Sequence, residues 1–178
     1  MSQTACGTLS GSVKMDFESF IQRKYFQQVV WFANRRLEKM SSGQFLLKCR
    51  EMDRLGGRAR TGLELDVYSL LTGSVRDVKT LSGGESFMAA LSLALGMSDA
   101  IRSIAGGIQL ETLFIDEGFG ALDENAREQA VRVLEQLSGE NRLTGIISHV
   151  PELKEQIEAR LLISKDRNGS HVRWLDGC

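Results

Sequence analysis

The chain has 178 residues, 42% hydrophobic and 25% charged, which suits one buried core, and its net charge of −1 gives no sign of a polyanion partner. Its three cysteines (Cys6, Cys49, Cys178) form no Cys-x-x-Cys pair, so neither a zinc centre nor a disulfide framework is indicated, and free thiols in a reducing cytoplasm are expected. There is no run of about 18 apolar residues and no basic stretch leading into an apolar one, which points away from membrane insertion and export.

Residues 1–13 are rich in Ser, Thr and Gly and read as a flexible tail. A helical segment over 14–42 follows, its pattern running from Asp16 to about Met40. Phe17, Phe20, Ile21, Phe26, Val29, Val30, Ala33, Leu37 and Met40 fall largely at spacings of three and four. Arg23, Lys24, Arg35, Arg36 and Lys39 lie largely off that stripe, and Ser41-Ser42-Gly43 ends it. Phe45 to Cys49 and Leu63 to Tyr68 read as strands; between them Arg54 to Thr61 is basic and Gly-rich, either a solvated loop or a contact for a phosphate backbone. Thr72-Gly73-Ser74 turns the chain towards the next helix.

That helix begins at Leu81-Ser82-Gly83-Gly84-Glu85. Ser82 and Glu85 make a Ser-x-x-Glu capping box, and the apolar run from Phe87 to Met97 predicts a buried helix. Gly83 and Gly84 lack a β-carbon, so a ligand can approach the first-turn amides, where the helix dipole favours an anion. A second short helix is expected over Ala100 to Ile104. Leu110 to Ile115 predicts a buried, central strand that ends in Asp116-Glu117, an arrangement in which one carboxylate serves Mg²⁺ and the other an attacking water. Asp123 stands at the N-cap of an amphipathic helix from Glu124 to Leu137. Leu143 to Ser148 is a strand with His149 at its tip, Pro151 suits a helix through Ile157, and a closing hairpin is expected from Arg160 to Lys165 and His171 to Leu175. Strand, helix, strand, helix is α/β grammar.

Taken in this order and spacing, Leu81 to Glu85, Asp116-Glu117, Ala121-Leu122-Asp123 and His149 resemble the signature, Walker B, D-loop and switch histidine of the C-terminal lobe of an ABC-type ATPase head. Thr80 to Phe87 together with Phe114 to Asp123 resemble the SbcC family, the bacterial SMC-like ATPases of the SbcCD nuclease, over roughly Phe17 to the end. The resemblance implies a C-terminal ABC-ATPase lobe over 43–178 with a mostly parallel sheet and flanking helices, and makes 14–42 the stub of a coiled coil. It implies ATP bound at Ser82, Gly83, Gly84, Glu85 and Asp123, Mg²⁺ on Asp116, and catalytic roles for Glu117 on water and His149 on the γ-phosphate. It also implies, as partners, an N-terminal lobe, a second head across ATP, an SbcD-like nuclease and double-stranded DNA bound without regard to sequence. No Gly-x-x-x-x-Gly-Lys-Ser/Thr loop occurs in the chain, so it matches one lobe of the pattern and should hydrolyse nothing alone. A transporter nucleotide-binding component fits less well, because such proteins usually carry Gln where Glu85 stands; a non-catalytic interaction module would not need Glu117 and His149.

Overall fold

A computed structural model describes residues 17–51, 62–104, 112–138, 143–151, 153–157, 159–167 and 169–175. The expected tail over 1–13 and the basic segment over 54–61 lie outside them. Helix α1 (Phe17–Met40) leads into β1 (Phe45–Cys49), β2 (Leu65–Ser69), β3 (Val75–Asp77) and a 3₁₀ turn η1 (Val78–Thr80). Helix α2 (Gly83–Ile104), β4 (Thr112–Asp116), the 3₁₀ turn η2 (Phe119–Ala121) and α3 (Glu124–Ser138) follow, then β5 (Leu143–Ile147), a single turn α4 (Leu153–Gln156) and the hairpin β6 (Arg160–Asp166) and β7 (Gly169–Leu175).

The C-terminal half of α1 packs along α2. Val29, Val30, Ala33, Leu37 and Met40 are buried, while Phe17 and Phe20, at the other end of the same stripe, are 63% and 49% exposed. The two helices nearly touch at Gly96. A β-carbon there would stand 2.6 Å from the Val29 carbonyl oxygen and 2.7 Å from the Ala33 amide nitrogen. Arg36 of α1 pairs with Asp99 of α2 just beyond that crossing. These contacts explain why α2 runs unbroken to Ile104 instead of dividing near Met97-Ser98-Asp99. At the expected break Asp99 pairs with Arg36 of α1 and Ser98 is 6% exposed, and such tertiary contacts outweigh a weak local helix preference. By length and composition α2 could cross a membrane, a test that buried core helices also pass; here much of its apolar surface lies against α1.

The first sheet is antiparallel, in the order β1-β2-β3. Its outer edge at β1 is covered by α1: the Asn34 amide nitrogen donates to the Leu47 carbonyl at 2.8 Å, and the Leu47 amide donates to Asn34 Oδ1 at 2.9 Å. This side chain takes the place of a neighbouring strand. After Thr72-Gly73-Ser74 the chain does not go straight to α2; it returns as β3, with Val67 opposite Arg76. Three residues with one apolar member carry no alternation that a sequence reading could detect.

Parallel pairing is confined, among the described strands, to β4 and β5, and the other pairs are antiparallel. The α/β class is as expected, but a mostly parallel sheet is not present among the described residues. Nor is β4 buried throughout. Ile115 is 8% exposed and faces the core with Phe119, Leu122 and Val131, yet Phe114 is 68% exposed on the opposite face. Strand β2 begins at Leu65, two residues later than expected, and the hairpin turn is tighter, with Asp166 opposite Gly169. Pro151 lies in a turn ahead of α4 and not in the helix itself.

Candidate nucleotide site

Two ends of the fold carry the residues singled out above. At the first, the capping box closes in both directions: the Ser82 amide donates to Glu85 Oε2 at 2.8 Å, and the Glu85 amide donates to Ser82 Oγ at 3.2 Å. Arg76 Nη2 donates to the remaining oxygen, Glu85 Oε1, at 2.8 Å. Burial works to raise the Glu85 pKa, but the Ser82 amide and the Arg76 guanidinium outweigh it and hold the carboxyl below its ordinary value of 4.5.

The adjacent glycines have different reasons to be glycine. A β-carbon on Gly84 would lie 2.8 Å from the Ala121 carbonyl oxygen, so this position is fixed by the close approach of η2. On Gly83 the nearest atom would be the Ala121 β-carbon at 3.7 Å, an ordinary contact. Gly83 alone therefore leaves the first-turn amides approachable without a packing reason of its own.

At the second end, β4 and β5 run side by side and release Asp116, Glu117 and His149 at their carboxyl ends. Asp116 is exposed. Glu117 donates its amide to the Ile147 carbonyl at 2.9 Å while its φ of +61° lies in the left-handed region, where a non-glycine residue is strained. Gly118, at φ +99°, permits the next close contact: a β-carbon there would be 2.2 Å from the Phe87 ring. Phe87 of α2 and buried Phe119 of η2 meet edge to face, with ring centroids 5.0 Å apart. The two ends of the site are thus packed on one another through Phe87 and Ala121.

The Glu117 carboxylate and the His149 ring are in contact, with Nδ1 3.0 Å from Oε2 and 3.1 Å from Oε1. Both side chains remain open to solvent, 54% and 79% exposed. Asp123 Oδ1 accepts the Ala126 amide at 2.8 Å and caps α3 as expected. Among the described residues no group of three His, Cys, Asp or Glu side chains could enclose a metal. One exposed carboxylate at a strand end still fits Mg²⁺, which is commonly held by one or two carboxylates together with phosphate oxygens and waters.

Sequence reasoning missed Arg76 and the cluster beneath it, in which Arg50 donates to Asp66 Oδ1 at 2.9 Å from Nε and to Asp77 Oδ2 at 2.6 Å from Nη2. Nothing in their local sequence marks them. They become visible only when the β1-β2-β3 register sets Lys48 opposite Asp66 and Asp66 opposite Asp77.

A family model described as SbcC/RAD50-like, Walker B motif, matches residues 58–136, which include the capping box, Asp116-Glu117 and Asp123. Over this stretch the chain matches the SbcC/RAD50-like family. The SbcC component of the SbcCD nuclease of Vibrio cholerae is 49% identical to it over 95% of its length, and the component of the same name from Treponema pallidum is 45% identical over 89%. The chain spans only 17% and 15% of those two relatives. Solved SMC heads share this fold. A structure from work on ATP-driven dimerization and DNA-stimulated activation of SMC ATPases superposes with a TM-score of 0.68 at 14% identity, covering 89% of each chain. An Smc head bound to the C-terminal winged-helix domain of ScpA superposes at 0.63 and 14% identity, covering 98% of this chain and 53% of that one.

Proposed function

We propose that this chain is the C-terminal lobe of an SbcC-type ATPase head. With an N-terminal lobe carrying the Walker A loop, it binds and hydrolyses ATP in the cytoplasm, and head engagement controls an SbcD-like nuclease that cuts double-stranded DNA ends and hairpins in repair and recombination. The observation that carries this reading is the meeting of Glu117 and His149 at 3.0 Å across the parallel β4–β5 pair, beside the exposed Asp116. Ser82 and the Gly83 amide face the nucleotide of a second head; Glu85 and Asp123 serve that surface by capping the helices that present it. Mg²⁺, when bound, draws charge from the phosphate oxygens, and Asp116 is the residue to hold it. Glu117 accepts a proton from water. His149 keeps Nδ1 on Glu117, which leaves Nε2 for a phosphate oxygen. The N-terminal lobe covers the outward apolar residues Phe114, Leu143 and Ile147, and α1, with its exposed Phe17 and Phe20, is the stub of one arm of a coiled coil.

The test is reconstitution. The chain alone should show no ATP turnover; co-expressed with a Walker A lobe it should. Glu117→Gln should lower single-turnover hydrolysis by at least about 10²-fold, the low end for loss of a general base, and accumulate ATP-bound dimers. Asp116→Asn should instead weaken Mg²⁺ dependence. Near-wild-type hydrolysis by Glu117→Gln in the reconstituted head would reject the reading.

A further inference from the structure

A run of hydrogen bonds leads from α1 to the signature end of α2. Arg23 of α1 donates from Nη1 to the Gly62 carbonyl at 2.5 Å and from Nη2 to the Arg50 carbonyl at 2.6 Å. Arg50 in turn holds Asp66, which is 5% exposed, and reaches Asp77 at the end of β3. Asp77 starts η1: its Oδ1 accepts the Lys79 amide at 2.9 Å, and its carbonyl accepts the Thr80 hydroxyl at 2.6 Å. Arg76, its neighbour on β3, then spans the remaining gap. Nη1 donates to the Thr80 carbonyl at 2.9 Å and to Thr80 Oγ1 at 3.1 Å, while Nη2 donates to Glu85 Oε1 at 2.8 Å. The other oxygen of that carboxylate holds the Ser82 amide.

One guanidinium thus grips both sides of the short link that delivers Ser82. Its rigid fork is suited to fixing two acceptors at a set separation, which a lysine ammonium cannot do. A part-buried ion pair of this kind adds only modestly to stability, so stability alone does not account for this placement. What the contacts determine is the direction in which Ser82 points.

We propose that Arg76 is a positioning residue for the signature serine: through Thr80 and Glu85 it sets the orientation of Ser82, and Arg50, through Asp77, keeps the end of β3 from which Arg76 reaches. The consequence for ATP rests on the function proposed above; the local geometry does not. In the 178-residue chain, Arg76→Gln should shift the Ser82 amide resonance and move the Glu85 carboxyl titration upward, with only a small fall in melting temperature. Arg76→Lys should restore the Glu85 titration in part and leave Ser82 displaced. In the reconstituted head, Arg76→Gln should leave the ATP affinity of a single head unchanged and lower kcat and ATP-dependent pairing about tenfold, the factor one lost charge-assisted hydrogen bond commonly carries. Lys48→Gln, which removes the exposed pair with Glu51, is the control and should change none of these. An unmoved Ser82 amide and Glu85 titration in Arg76→Gln would overturn the proposal; if that variant does not fold, the same two readouts in Arg76→Lys decide. Ser82→Arg separates the two readings. If it pairs heads like wild type, the proposed function fails. If it abolishes pairing while Arg76→Gln does not alter it, only the role of Arg76 fails.

Discussion

Along α1, Ala33 and Leu37 disappear completely beneath their neighbours, whereas at the centre of β4 Phe114 is 68% exposed, and on the β6–β7 hairpin Ile163 and Val172 face each other at 70% and 65% exposure. The helical crossing closes its own core. The strand pairs do not: β5 has one hydrogen-bonded neighbour, and the hairpin pairs only with itself among the described residues. A sheet needs layers on both faces to bury alternating apolar side chains, and the described residues supply a layer on one side of β4–β5 and none to Ile163. The helices thus enclose a core of their own, while the strands leave apolar side chains in the open.

Substitutions should separate the two regions. The largest loss is expected at Gly96, where Val would force the α1 and α2 backbones apart: about 3 kcal/mol or more, read by chemical denaturation. Gly84→Ala should follow at about 1–2 kcal/mol, because the Ala121 carbonyl must shift, while Gly83→Ala should leave stability nearly unchanged and impair only ATP-dependent pairing of the reconstituted head. Equal destabilisation by the two alanines would break the distinction drawn between these glycines. Smaller still is a pH effect. Glu85 has a folded pKa below its ordinary 4.5, so its contribution is complete above that value and is lost as pH falls through the lower, folded one. Asp77, held down by the Lys79 amide and Arg50, acts in the same direction. Unfolding free energy should thus decline on acidification below about pH 5, and Glu85→Gln should flatten part of that slope. The smallest effect is expected on the open strands: Phe114→Ser and Ile163→Ser should each change the stability of this chain by no more than about 0.5 kcal/mol, and Phe114→Ser should weaken assembly with a Walker A lobe.

Local chemistry is the most legible part of the sequence. The Ser82–Glu85 box, the Asp123 cap and the helical stripe through Val29, Ala33 and Leu37 each depend on neighbours within one or two turns, and each stands at its expected place. Asp116, Glu117 and His149 stand out because an apolar strand leads into the acidic pair and another into the histidine. The positive φ of Glu117 has no such marker. Features set by distant parts of the chain stay hidden. The continuity of α2 depends on Arg36 and on the α1 backbone, and β3 depends on pairing with β2. The exposure of Phe114 escapes a sequence reading for another reason: an apolar residue within an apolar strand reads as buried whichever face it lies on. Gly84 shows the same limit, since the sequence offers a ligand as the reason for its lack of a side chain and the structure offers the Ala121 carbonyl as well.

The contact between Gly84 and Ala121 has a mechanical meaning. Backbone pressed on backbone has no rotamers to absorb a displacement, so it behaves as a stiff strut. The other tight point on α2 is Gly96, about 20 Å away at 1.5 Å per residue. A tilt of about 5° around that fulcrum would swing the near end through about 2 Å, over half a hydrogen-bond length. The 3₁₀ turn carrying Phe119 would have to travel with it, and so would Gly118 and the bend at Glu117. In such a linkage the serine and the glutamate cannot be adjusted one at a time: a force applied to the long helix reaches both in a single stroke.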